Sequence, residues 1–335
     1  MQYRKLGGTG LNVSMIGFGG IPIQRVDEAE AGRIVNTALD AGINFFDSAR
    51  AYTDSETKLG AALEKQRGRA ILATKSMARD AGAMEQEIRR SLEALRTDTI
   101  DLYQLHNVKD LETLDRVLAP DGALTALQEA KNRGDIRHIG ITGHIRSVLV
   151  EALKTRVFET VQFPFNPVET AGAQEMFDVA AACDAGVIIM KPLAGGALQQ
   201  PELALRYILA HPVSTVIPGM DSVEQVAANA RCAAAAGSLS EAEMEVLRRE
   251  ADCLGTSFCR RCEYCMPCPQ GIDPPTIFLL DGYYQRYKLQ EWAKVRYNGL
   301  AVPGDECLEC GVCEERCPYG LPIARMVREA AERLK

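Results

Sequence analysis

INFFDSARAY, residues 43–52, passes from core to chemistry within ten positions. Its first half is a short apolar run of the kind that forms a strand buried on both faces. Its second half brings Asp47, Ser48, Arg50 and Tyr52 in quick succession. Polar groups therefore collect at the C-terminal end of a buried strand, where parallel α/β barrels keep their active sites.

Outward from this stretch the same unit recurs. VSMIGFGG reads as the strand before it, and residues 27–41 as a helix ending at Gly42. SETKLGAALEKQ reads as the helix after it, followed by the strand AILATKS, a helix over 84–95 with Ile88, Leu92 and Leu95 on one face, and the strand IDLYQLH. A helix over 124–131 closed by Gly134 leads to IRHIGIT. VFETVQFPF, GVIIMKP and VSTVIPG continue the strands, with helices over 148–153, 174–183, 201–209 and 222–235. Eight strand–helix alternations joined by short connections predict parallel strands with right-handed crossovers closed into a (β/α)8 TIM barrel. An open doubly wound sheet is the alternative, but it calls for a glycine fingerprint after the first strand, and GFGGIP does not supply one.

The chain has 335 residues, more than one such barrel of about 250 needs, so a second unit is expected. The expected division is a barrel over 1–238, a connecting helix over 239–256 and a smaller module over 257–335. Net charge is −7 and no basic stripe is present, which argues against nucleic acid or an anionic membrane as partner. No apolar run approaches the roughly 18 residues of a membrane span, and MQYRKLGGTG has no apolar signal region, so a cytoplasmic location is expected.

In a barrel the ends of strands two to four converge, bringing Asp47, Tyr52, Lys75 and His106 to one face. Taken singly, a strand-end Asp or Lys is more often a solvated charge or a structural ion pair. Together the four resemble the catalytic tetrad of the aldo-keto reductase family. The resemblance spans about residues 1–240 and is carried by GLNVSMIGFGG, GINFFDSARAY, ILATKS, DLYQLHN, QFPFNP and VIPG with Gln225 and Asn229. It implies an NAD(P)H-dependent oxidoreductase that reduces an aldehyde or ketone to an alcohol. Tyr52 would be the general acid, its phenol lowered by the Lys75 cation; Asp47 would hold the lysine, and His106 would orient the carbonyl oxygen.

The same resemblance implies a cofactor site of Gly20 and Ile21, Thr142, Gly143 and Gln162 around the nicotinamide, Lys191, Leu193 and Gly195 of KPLAGG under the pyrophosphate, and Pro218, Gly219, Met220, Ser222, Gln225 and Asn229 around the adenosine half. Read without it, KPLAGG and IPGM are ordinary strand-to-helix turns. Relatives often carry Arg or Lys near residue 221, where a cation would grip a 2′-phosphate, and Asp221 has the opposite sign. NADP(H) is the expected cofactor, with NADH the alternative.

Eight of the eleven cysteines fall in two runs after residue 258. Cys183, Cys232 and Cys253 lie in helical patterns and read as small buried residues. In a chain with no export signal the two runs point to metal rather than disulfides. Cys307, Cys310, Cys313 and Cys317 followed by Pro318 have the bacterial ferredoxin spacing, in which the fourth cysteine serves the other cluster. Cys259, Cys262, Cys265 and Cys268 depart from it by one residue in the last gap. Two 4Fe-4S clusters are expected, one on Cys259, Cys262, Cys265 and Cys317, the other on Cys307, Cys310, Cys313 and Cys268, with paired zinc sites as the alternative. Phe278, Tyr283, Tyr284, Tyr287, Trp292 and Tyr297 between the runs are expected to pack a helical ferredoxin-like module.

A hydride carries two electrons and a cluster one, and nothing in the sequence suggests a flavin to convert between them. The leading expectation is a carbonyl reductase with structural or redox-active clusters. The alternatives are an electron-transfer enzyme linking a redox partner protein to a substrate in the barrel, and a barrel used as a regulatory subunit, against which the intact tetrad argues.

Overall fold

The computed structural model describes residues 1–234, 237, 239–255, 258–261, 265–317 and 319–335. Cys262, Pro318 and the helix end expected at Ala235 lie outside them, as do residues 238, 256 and 257 at the expected domain boundaries. The chain divides into two compact units. The first comprises Met1–Asn166, Thr170–Pro192 and Gln200–Ser240; the second comprises Glu241–Lys335 with the short segments Pro167–Glu169 and Leu193–Gln199.

The first unit opens with an antiparallel hairpin of β1 (Tyr3–Lys5) and β2 (Asn12–Ser14). Eight parallel strands follow: β3 (Phe18–Gly19), β4 (Phe45–Asp47), β5 (Ile71–Ser76), β6 (Ile100–Leu105), β7 (Ile136–Thr142), β8 (Thr160–Pro164), β9 (Gly186–Met190) and β10 (Thr215–Val216). They pair in chain order, and the sheet closes on itself where Gly17 N donates to Val216 O, Gly19 N to Pro218 O and Val216 N to Met15 O. Closure removes both sheet edges and makes the (β/α)8 barrel. The expected first strand is divided. Its start, Val13 and Ser14, belongs to β2 and pairs with β1, and Asn44 fastens it to the neighbouring β4 segment by accepting from Ser14 N at 2.7 Å; only its end enters the barrel.

The helices of this unit are α1 (Glu28–Asp40), α2 (Ser55–Leu63), α3 (Ala81–Ala94), α4 (Leu111–Leu118), α5 (Ala123–Arg133), α6 (Arg146–Lys154), α7 (Ala173–Ala182), α8 (Pro201–Leu209) and α9 (Val223–Ala234). Local chemistry sets their ends. The carboxylates of Asp27, Asp80 and Asp110 accept from the backbone N–H three residues on, satisfying a donor the helix leaves open. Pro201 occupies the first turn of α8. The sequence reading missed α4, although Asp110 caps it and Leu114 and Val117 bury its apolar face.

The second unit holds α10 (Glu241–Gly255), α11 (Pro274–Gln285), α12 (Gln290–Asn298), α13 (Val312–Glu315) and α14 (Ile323–Leu334). Ile277, Leu280, Tyr297, Val327 and Leu334 form its core, with Phe278, Tyr283, Tyr284 and Trp292 packed against it. The aromatic segment therefore builds this core, as expected. Tyr283 and Trp292 meet edge to face at 4.6 Å, and Arg333 binds Asp281 with two hydrogen bonds of 2.8 and 3.0 Å. Within the same unit Arg286 Nε donates to Gly195 O at 3.0 Å, so the Leu193–Gln199 segment is fastened there. Cys232 is buried as expected and Cys183 half-buried, but Cys253 is exposed on α10, a correction to the expectation of a buried thiol.

Candidate active site and cysteine sites

Three adjacent strands deliver the four residues that the sequence brought forward. Asp47 is the last residue of β4, Lys75 the fifth of β5, and His106 follows β6 directly. Tyr52 lies in the loop between β4 and α2. Lys75 Nζ donates to Asp47 Oδ2 at 2.5 Å and to Ser48 O at 2.7 Å, with both side chains of the ion pair buried. The ammonium stands 4.9 Å from the centre of the Tyr52 ring, and the Tyr52 and His106 rings meet edge-on at 6.1 Å. All four residues are thus assembled at the C-terminal ends of their strands.

Burial acts against both members of the ion pair. It pushes the Asp47 carboxyl up from its ordinary value, opposed by Lys75 and by hydrogen bonds from Gln104 and Gln162. It pushes the Lys75 ammonium down, opposed by Asp47 and by the charge of Glu56. Burial also holds His106 well below its usual range, with the Lys75 and Arg79 cations adding to the effect, so its imidazole is neutral at physiological pH. Arg79 fixes the His106–Asn107 turn by donating to both carbonyls, at 2.7 and 2.9 Å.

The loop that carries Tyr52 is fastened at several points. Ser55 N donates to Tyr52 O, Ser48 and Ser55 hydroxyls meet at 2.9 Å, and Ser55 Oγ donates to Gly20 O at 2.9 Å. Gly20 has no room for a side chain, since a Cβ would stand 2.8 Å from Asp47 O. Arg50 reaches Glu56 at 2.5 Å and Glu87 at 2.9 Å, and the buried Glu56 also accepts from Thr74 and Ser91 hydroxyls.

Of the cofactor residues implied by resemblance, Thr142 ends β7, Gln162 lies in β8, and Gly143 N donates to Gln162 O at 3.2 Å. Thr142 Oγ1 accepts from Asn107 N at 2.9 Å, which leaves its own proton available to a bound carboxamide. Lys191 O accepts from Asn166 Nδ2 at 3.0 Å. Ile21 precedes the short 3-10 helix Pro22–Arg25, and Met220 is wholly buried. Ser222 Oγ accepts from Gln225 N, Gln225 Oε1 from Asp221 N, and Asn229 is buried on α9. Leu193 and Gly195 belong to the second unit.

Three residues that the sequence reading left out reach this surrounding. Arg25 binds Asp221 at 2.5 Å, so the acid at 221 is already paired with a cation. Glu56 places a second buried carboxylate near Lys75. Gln104 touches Asp47 and Gln162 from inside the barrel. Only the last had a usable signal: it stands two residues before His106 in the expected strand IDLYQLH, a spacing that puts both on one face.

In the second unit, Cys268, Cys307, Cys310 and Cys313 line one cavity together with Ile272 and Ala324. Cys268, from the first run, thus stands with three cysteines of the second despite the shortened gap. Cys259, Cys265 and Cys317 share the unit's core, and Arg261 N donates to Cys259 Sγ at 3.4 Å. Among the described residues no three His, Cys, Asp or Glu side chains are drawn close enough to hold one metal ion. Nor is any described helix long and apolar enough to cross a membrane.

Comparison with known proteins follows this division. The Aldo/keto reductase family matches residues 15–202, and a 4Fe-4S dicluster domain matches residues 258–322. The uncharacterized oxidoreductase YqkF of Bacillus subtilis is 28% identical over 301 residues, covering 74% of this chain and 96% of its own. L-galactose dehydrogenase of Arabidopsis thaliana is 31% identical over 280 residues, covering 68% and 87%. Among solved structures, the holo form of aldo-keto reductase AKR11C1 from Bacillus halodurans aligns with a TM-score of 0.66 at 30% identity, covering 75% of this chain and 96% of that one.

Proposed function

The chain belongs to the aldo/keto reductase family, and from that premise we propose that it reduces an aldehyde or ketone to an alcohol with Tyr52 as the proton donor. The supporting observation is the assembly of Tyr52 beside a buried Lys75–Asp47 pair and against His106. NAD(P)H, when bound, supplies the hydride that reaches the carbonyl carbon. The Tyr52 hydroxyl gives its proton to the carbonyl oxygen as negative charge develops there. An unperturbed phenol titrates near pH 10, and the neighbouring Lys75 cation stabilises the phenolate left behind. Asp47 and Ser48 O keep that cation in place. The neutral His106 has one N–H to offer the same oxygen, which orients the carbonyl without competing for the proton.

Thr142, Gly143 and Gln162 would hold the nicotinamide amide, and Gly20, Ile21, Lys191 and the 218–229 stretch the remainder of the dinucleotide. NADPH is the first choice, and the Arg25–Asp221 pair is the point at which NADH would gain. The substrate class includes sugars, in keeping with the L-galactose dehydrogenase relative. Anaerobic NAD(P)H oxidation over a panel of aldehydes, ketones and sugars, with wild type beside Tyr52→Phe, tests the assignment. Turnover should vanish in the variant while nicotinamide still binds; retained turnover would overturn it.

The barrel over 1–238, the helix over 239–256 and the module over 257–335 are the proposed functional parts. Two 4Fe-4S clusters are assigned to Cys259, Cys262, Cys265 and Cys317 and to Cys307, Cys310, Cys313 and Cys268. Such ligands persist as thiolates in a reducing compartment, which favours the cytoplasm. A second reading, in which a redox partner protein exchanges electrons with the clusters, is favoured by the exposure of Cys310 and of its neighbour Leu308 beside the cavity. Cluster reduction by NAD(P)H alone, followed by electron paramagnetic resonance, would support that reading, and unchanged clusters during turnover would count against it.

A further inference from the structure

Gln104 is wholly buried on β6, directly opposite Lys75 on one side and Gly140 on the other in the strand register. Its Nε2 donates to Gln162 Oε1 at 3.0 Å and, by a longer contact of 3.4 Å, to Asp47 Oδ1. Its Oε1 has no hydrogen-bond partner among the described residues. A half-satisfied amide costs stability inside a barrel, where a leucine of similar size would be cheaper. Room is also kept for it. A Cβ at Gly140 would stand 3.0 Å from Gln104 Cγ and 2.2 Å from Thr160 Oγ1.

The donor side of Gln104 is what the surroundings need. Asp47 is a carboxylate with almost no access to water, and one ammonium contact satisfies only one of its oxygens. A buried ion pair is sustained only where additional hydrogen bonds occupy the remaining lone pairs. Gln104 provides one on the oxygen that Lys75 leaves, and its other N–H ties the same amide to Gln162.

We infer that Gln104 is a positioning residue for carbonyl reduction, acting through Asp47 to keep the Asp47–Lys75 pair ionised and aligned beneath Tyr52. The inference rests on the reading of Tyr52 as proton donor. Without the Gln104 donor, Asp47 holds its charge less well, Lys75 follows it toward neutrality, and Tyr52 loses the cation that stabilises its phenolate.

The test compares the intact, cluster-bearing wild type with Gln104→Met, Gln104→Glu and Tyr52→Phe. It reads kcat and KM across the range in which carboxyl and phenol groups titrate. Gln104→Met should lower kcat about tenfold or more, the scale of one hydrogen bond to a charged group, with substrate KM little changed. The basic limb of its profile should move to higher pH. Gln104→Glu is an isostere that keeps the test open should methionine fail to fold. Protonated, it still donates to Asp47; ionised, it sets a second anion against it, so its kcat should fall through a titration that the wild type lacks. Folded Gln104 variants with the wild-type profile would overturn the inference while an inactive Tyr52→Phe left the reductase reading standing. Full turnover by Tyr52→Phe would remove the reading itself.

Discussion

Lys75 and Asp47 meet at 2.5 Å with side-chain exposures of 0% and 3%, so each is the other's principal source of solvation. A buried pair of this kind adds little net stability over an apolar pair, yet breaking it leaves one charge stranded.

Lys75→Met should therefore destabilise the chain by about 3 kcal/mol or more, whereas Asp47→Asn combined with Lys75→Met should recover most of that loss and remain without turnover. Thermal midpoints of the single and double variants measure this. A double variant as unstable as Lys75→Met would contradict it.

Asp221 neutralises Arg25 at 2.5 Å. Asp221→Ser should remove the carboxylate that opposes a 2′-phosphate beside Arg25 and raise the preference for NADPH over NADH about tenfold to 100-fold, the scale of a charge-assisted hydrogen bond. The ratio of Kd values for the two nicotinamides reads the change, and a ratio equal to that of wild type would exclude Arg25 as the cation concerned.

Glu159 is held down to about 2 by His138 and Lys131 hydrogen bonds and by Ile139 N, against the opposing push of partial burial. A depressed carboxyl contributes stability above its unfolded value of about 4.3, and that contribution fades as pH falls toward the folded value. Solvent access reduces its size to about 1 kcal/mol. Glu159→Gln should thus lose about that much at neutral pH, and its deficit in chemical unfolding should shrink below about pH 4. A deficit independent of pH would show that the loss is not electrostatic.

Cys268→Ala should remove iron and sulfide of the second cluster, about four of each per chain, while Cys317→Ala should act on the first. Metal analysis with the spectrum of the remaining cluster separates the two. Loss of the first cluster's signal from Cys268→Ala would reverse the assignment.

The barrel was legible because its strands are short apolar runs that alternate with helical periodicity, and both signals are local. Asp47, Lys75 and His106 were legible because strand ends converge in any such barrel. What escaped depended on register or on unrelated segments meeting. Gln104 shares the two-residue spacing of His106, but its contact with Asp47 emerges only when β6 is set against β5 and β4. Arg25 and Asp221 are almost 200 positions apart, and no periodicity joins them. The division of VSMIGFGG was hidden because a hairpin strand and a barrel strand carry the same apolar alternation. The expected burial of Cys253 failed because residue type alone does not say which face of α10 a thiol occupies.

The place of Cys268 among Cys307, Cys310 and Cys313 bears on how the module is made. On the proposed ligand set, each site takes three thiolates from one run and its fourth from the other, across an intervening loop of about forty residues. A growing chain that has released only its first run can therefore complete neither site. Insertion of both inorganic cores must wait until the second run has been made, and stripping either core afterwards would unfasten the segment that the two sites close together.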